Sequence, residues 1–202
     1  MSKRIAKDDI DRFHDYKLHV PTRTIYMGSE TFDSEGESGV DGLMAERFIK
    51  NITLLDSVSS EPITVLMNNV GGSEYDGFAI YDSIKTCKSL VTIKVFGHSM
   101  SMGSIIFQAA DVRIMALTSR QMIHYGTWEC GGHAKTAQKW SQEGLKIDKW
   151  MEKMYMAKIH EKMPEYTIEQ LRALLDHDTF FTAQESVAMG LADQVLAETK
   201  KK

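Results

Sequence analysis

The chain has 202 residues, 43% of them hydrophobic and 26% charged, which is the balance of one ordinary globular domain and too apolar for a disordered one. A formal net charge of −4 removes the main attraction for nucleic acid, so that class of partner is set aside. No apolar run approaches the ~18 to 20 residues of a membrane span, so no membrane partner is expected.

Residues 1–20 carry interleaved charges and no apolar leader. They read as a polar N-terminal arm, loosely ordered through Lys17, on a cytoplasmic chain. Residues 21–197 read as a single domain. Residues 22–27 (TRTIYM) have strand chemistry, and the acidic stretch 28–39, rich in Gly and Ser, is a loop. Leu43, Met44, Phe48 and Ile52 form a helical stripe over 40–55. The run 63–67 (ITVLM) suits a strand covered on both faces. A helix over 75–84, a strand over 91–96, a helix over 102–110 and strands over 112–115 and 121–124 follow. Strands alternating with short helices imply βαβ units and a mostly parallel sheet.

A long helical segment covers about 134–163 and carries Trp140, Ile147, Trp150, Met151, Met154, Tyr155, Ile159 and Met163. So much apolar surface points to self-association, with packing inside the monomer as the alternative. Thr167 with Gln170, and Thr182 with Glu185, each fit a capping box, and Gly190 stands where a helix ends. Residues 198–202 end in lysines and read as a solvated tail. Cys87 and Cys130 have no metal-ligand spacing and read as small buried or half-buried hydrophobes in a reducing compartment.

Chemistry gathers in three places. The segment 95–104 (VFGHSMSMGS) follows a strand and opens a helix. Ser101 there sits near the positive end of a helix, among N–H groups without intrahelical partners, a setting that suits an oxyanion. A serine at that position also serves as an ordinary N-cap. A hydroxyl becomes a nucleophile only when a base takes its proton, and His124, ending the strand 121–124, is the candidate. The base needs a carboxylate to hold its tautomer. Asp176 and Asp178 are both placed for it, and Asp178 is preferred because Phe180 and Phe181 would anchor its backbone in the core. Gly71 and Gly72, after the strand 63–67, let backbone N–H groups face a ligand, or simply make a βα turn. The order Ser, His, Asp differs from that of the α/β-hydrolases, of chymotrypsin and of subtilisin, and residue 99 is Ser, so no Gly-x-Ser-x-Gly is present.

These residues resemble the proteolytic subunit of the Clp protease, the caseinolytic serine peptidase family, in a divergent form such as phages carry. The resemblance runs from about Thr22 to Ala197. It is carried by Ile25-Tyr26-Met27-Gly28, Gly71-Gly72, the segment from Gly97 to Gly103, and Ser119-Arg120-Gln121-Met122-Ile123-His124. Asp178-Thr179-Phe180-Phe181-Thr182-Ala183-Gln184-Glu185 and Gly190-Leu191-Ala192-Asp193 complete it. It implies a crotonase-like α/β fold of repeated ββα units, with the helix over 134–163 as a projecting handle. It implies Ser101 as nucleophile, His124 as general base and acid, Asp178 as orienting carboxylate, and the Gly72 and Met102 N–H groups as oxyanion donors. A homo-oligomer of two stacked heptameric rings is expected, cutting unfolded polypeptide supplied by an AAA+ unfoldase in a bacterial or phage-infected cytoplasm. ATP would be the partner's cofactor, and this chain would hold neither cofactor nor metal.

Several positions depart from the family pattern. Asn69-Val70 replaces Ser-Pro before the glycines, and the rigid turn is not expected to survive. Tyr125-Gly126 follows the histidine in place of Gln-Pro. Thr64 and Leu66 stand where tyrosines line the outer docking pocket, and His177 replaces an arginine at a ring–ring contact, which would make that contact pH-sensitive. Three alternatives stand beside this reading: a catalytically inactive subunit of a mixed ring, a phage capsid-maturation peptidase with the same chemistry, and a crotonase-like acyl-CoA enzyme, which would share the fold and need no Ser-His pair.

Overall fold

The computed structural model describes residues 7–28, 39–127 and 129–198. The acidic loop expected over 28–39 and the lysine tail lie almost wholly outside them. Strands β1 (Leu18–His19), β2 (Thr24–Gly28), β3 (Ile63–Asn69), β4 (Val91–Met100), β5 (Val112–Ala116), β6 (Arg120–Ile123), β7 (Thr179–Thr182) and β8 (Gln194–Leu196) form one sheet. Helices α1 (Lys7–Tyr16), α2 (Gly42–Val58), α3 (Glu74–Lys85), α4 (Met102–Gln108), α5 (Ala134–Lys162), α6 (Ile168–Leu175) and α7 (Ala183–Met189) complete the described chain. The neighbour order is β1-β2-β3-β4-β5-β8, parallel throughout except for β1. This is the expected crotonase-like α/β fold.

Ile63, Val65 and Met67 alternate with partly exposed Thr64, Leu66 and Asn68. The expectation that β3 is covered on both faces is therefore corrected. Helix residues such as Phe48, Ile52, Leu55, Ile80 and Phe107 share a core with the buried set. On the other face, Leu66 lines a shallow groove with Ile10 and Phe13 of α1. The N-terminal arm also differs from expectation, being helical from Lys7, with none of its helical side chains buried.

The most consequential difference is at β4. A strand over 91–96 was expected, followed by a turn, but the strand runs on to Met100 and changes partner on the way. Thr92 to Val95 pair with β5, whereas His98 to Met100 pair with β6. The bend falls at Gly97, at φ +88, where a Cβ would lie 2.4 Å from Asn68 Oδ1. That same oxygen accepts a hydrogen bond from the His98 N–H at 3.0 Å, so only glycine allows the strand this close.

The long helix α5 divides its apolar residues. Ile147, Met151, Tyr155 and Ile159 are core, while Trp140, Leu145 and Trp150 are exposed. Packing within the monomer thus takes half of the surface that was expected to serve self-association. Both capping boxes form as read, at Thr167 and Thr182, and Gly190 caps α7 in the left-handed conformation. Cys87 is partly buried, but Cys130 is exposed, against the expectation for it.

Candidate active site

The bend in β4 brings Ser101 beside β6, where its N–H donates to the Met122 carbonyl at 2.9 Å. Ser101 has φ 50 and ψ −126, a sparsely populated conformation for a residue with a side chain. Its side chain does not cap α4. The plain N-cap alternative therefore fails, and the hydroxyl is free to point elsewhere. The carbonyl of Ser101 is pinned by the Ser104 N–H at 2.9 Å and by the Ser104 hydroxyl at 2.7 Å.

His124 reaches Ser101 because β6 runs parallel to the end of β4. Asp178 reaches His124 because β7 runs antiparallel to β6 in the register Ile123↔Thr179, and one step further along that ladder sets 124 opposite 178. His124 Nε2 lies 2.8 Å from Ser101 Oγ, and its Nδ1 lies 2.8 Å from Asp178 Oδ1. With the carboxylate accepting from Nδ1–H, Nε2 carries the lone pair that takes the Ser101 hydroxyl hydrogen. The preference for Asp178 over Asp176 rested on two anchoring phenylalanines. Only Phe181 is buried and Phe180 is exposed, and the antiparallel ladder does the anchoring instead.

The glycine turn closes the other side. Val40 and Gly72 form an isolated parallel bridge, in which the Ser73 N–H donates to the Val40 carbonyl at 2.8 Å and Val40 N–H donates to Gly71. In that pattern the N–H of Gly72 itself faces away from Val40. Gly71, at φ +106, presses so near Ser101 that a Cβ there would be 2.6 Å from Ser101 Cβ and 3.0 Å from Met102 N. Met102 opens α4, so its N–H has no intrahelical acceptor. The Met102 N–H thus lies beside Ser101, and Gly71 brings the glycine turn up against both. In place of a proline, the turn is tied by buried Asn69, which accepts from the Gly71 N–H at 2.9 Å.

Two struts from α5 were not visible in the sequence. Glu152 receives the Tyr125 hydroxyl at 2.5 Å and Arg172 at 2.8 and 3.0 Å, bracing the residue next to His124. The Arg172 guanidinium holds the Glu152 carboxyl below its ordinary range, while burial and that carboxylate push the Tyr125 phenol up. One turn along, fully buried Tyr155 bonds Ser104, the residue that holds the Ser101 carbonyl. Polar residues at i and i+3 within an apolar stripe were the available signal. His177 and Asp176 are exposed beside Asp178. Among the described residues no cluster of three or more His, Cys, Asp or Glu is disposed to hold a metal.

A serine hydroxyl, an imidazole and a carboxylate in one hydrogen-bonded line, on an α/β sheet of this order, are the constellation of a serine hydrolase. The family model for Clp protease matches residues 32–199. The ATP-dependent Clp protease proteolytic subunit of Deinococcus radiodurans is 33% identical over 92% of this chain and 86% of its own length. Chloroplastic proteolytic subunits 6 and 3 of Arabidopsis thaliana are 28% and 29% identical over 78% and 88% of this chain. The chain spans 57% and 54% of those two relatives. The chain belongs to the Clp protease family, whose members are serine-type peptidases.

Proposed function

We propose that the chain is a serine endopeptidase that cleaves unfolded polypeptide within a homo-oligomeric chamber. Ser101 Oγ attacks the peptide carbonyl carbon as its proton passes to His124 Nε2, and Asp178 steadies the imidazolium that forms. The carbonyl oxygen, now negative, accepts from the N–H groups of Gly72 and Met102. His124 then returns the proton to the departing amine, leaving an ester on Ser101. Water attacks that ester with His124 again as base, and the hydroxyl is restored.

The observation that carries this reading is the pair of 2.8 Å contacts joining Ser101, His124 and Asp178. The exposed Trp140, Leu145 and Trp150 on α5 support assembly, since such side chains are seldom left to water in groups. The chamber is read as two stacked heptameric rings. ATP use, which the relatives' names record, belongs on this reading to an AAA+ unfoldase partner and not to this chain.

A fluorophosphonate probe tests the chemistry. Labelling is expected on Ser101, with hydrolysis of a short fluorogenic peptide, and Ser101→Ala removes both while sedimentation shows the same particle. An unlabelled, inactive wild-type particle points instead to a silent ring subunit.

A further inference from the structure

Resting on that reading, we propose that Tyr155 is a positioning residue that aims the Met102 N–H at the oxyanion. The carbonyl of Ser101 and the N–H of Met102 belong to one planar peptide group, and in the trans form they point in opposite directions. Whatever fixes the carbonyl therefore fixes the donor. The carbonyl is held by the N–H and hydroxyl of Ser104, at 2.9 and 2.7 Å. A hydroxyl has a single hydrogen, and that of Ser104 is committed to the carbonyl. The hydrogen shared between Ser104 Oγ and Tyr155 must then come from the phenol.

Tyr155 is suited to this role. Its side chain is wholly buried in α5, so water cannot compete for the bond. Burial also keeps the phenol protonated. The relay runs from the Tyr155 hydroxyl to Ser104 Oγ, then to the Ser101 carbonyl, and emerges as the orientation of the Met102 N–H. Each bond polarises the next. Ser101 needs such support, because its backbone conformation persists only where neighbours over-determine it.

The relay acts on the oxyanion and not on substrate docking, which gives it a kinetic signature. Losing an oxyanion donor outright costs about 10²- to 10³-fold in kcat, and loosening one is expected to cost less, about tenfold. Tyr155→Phe, which keeps the ring in place, is expected to lower kcat by that factor with KM unmoved. A peptide aldehyde, whose hemiacetal with Ser101 occupies the oxyanion position, is expected to bind Tyr155→Phe more weakly by the same factor. Ser104→Ala cuts the relay at its middle and reproduces both effects, and adding Tyr155→Phe to it costs nothing further.

Wild-type kcat and aldehyde affinity in folded Tyr155→Phe overturn the inference. So do additive effects in the double variant, or a loss carried by KM. Should Tyr155→Phe fail to fold, Ser104→Ala decides alone, and unchanged kcat and aldehyde affinity in it overturn the relay. A wild-type protein that neither cleaves peptide nor takes the fluorophosphonate sinks the peptidase reading itself, whereas an active wild type with indifferent variants sinks only the relay.

Discussion

Around Ser101 the tolerances are those of single atoms. A methyl group added at Gly71 would meet Ser101 Cβ at 2.6 Å and Met100 O at 2.9 Å, at a backbone angle that alanine resists. Gly71→Ala is therefore expected to lose about a hundredfold or more in kcat for the fluorogenic peptide, through displacement of the nucleophile. Asp178 makes the complementary case, since its side chain is 59% exposed and its removal leaves no hole. Asp178→Asn is expected to keep the thermal midpoint while lowering kcat by up to about 10⁴-fold, because an amide no longer holds His124 in the productive tautomer. A midpoint that falls along with kcat would show that Asp178 acts through the fold and not through the imidazole. Ser101, His124 and Asp178 were all legible, because residue type and strand ends announce them. Tyr155, Ser104 and Asn69 were not, because their roles depend on which polar atoms become neighbours once buried.

Two elements were misread, and both decide the site. The second half of β4 looks like a turn, with Gly97, Ser99 and Ser101 in close succession. Its strand pairing comes from β6, a partner distant in sequence, and tertiary pairing overrides weak local propensity. The strand β7, four residues long, is not among the strands expected from the sequence, yet its register is what delivers Asp178. At the other end of the sheet, β8 is locked to β5 by an ion pair that few local signals mark. Arg113 is almost wholly buried and bonds both Asp193 oxygens, Gln108 and the Gly190 carbonyl. Asp193→Ala leaves that guanidinium buried without its counter-charge and is expected to cost about 3 kcal/mol in denaturant unfolding. A cost below about 1 kcal/mol would mean that water enters and replaces the carboxylate.

At the scale of the whole molecule, charge and assembly set the behaviour. Four carboxyls among the described residues lie below their ordinary range: Glu46 beside Lys50, Asp56 under the Ser89 and Lys88 N–H groups, Glu152 against Arg172, and Glu185 in its capping box. One, Asp148, is pushed up by burial. For the four, the unfolded chain takes up protons before the folded one does. Their stabilisation is complete above the ordinary values of 3.8 for Asp and 4.5 for Glu and is lost as pH falls further. The thermal midpoint is expected to drop steadily on acidification through that range, and Asp56→Asn to shallow the slope. A midpoint that holds level there would show the bonds to be absent in solution. Sedimentation at neutral pH separates a multi-ring particle from a monomer. Asp substitutions at Trp140 and Trp150 are expected to break the particle without disturbing the core, since both side chains face solvent in the single chain.

By itself the sequence determined the layered α/β fold, the order of its main elements, the caps of its later helices and the three residues that the fold joins in one hydrogen-bonded line. Hydrophobic periodicity, capping chemistry and the residue types found at strand ends are all properties that neighbouring positions express locally. Only the tertiary structure decided how β4 bends away from β5, which half of α5 turns inward, and how Asn69 ties the glycine turn through the Gly71 N–H. It alone placed a phenol from α5 behind the residue that holds the Ser101 carbonyl. Those are contacts between segments tens of residues apart, where exclusion of water and a single strand register choose one partner from many that the chain offers.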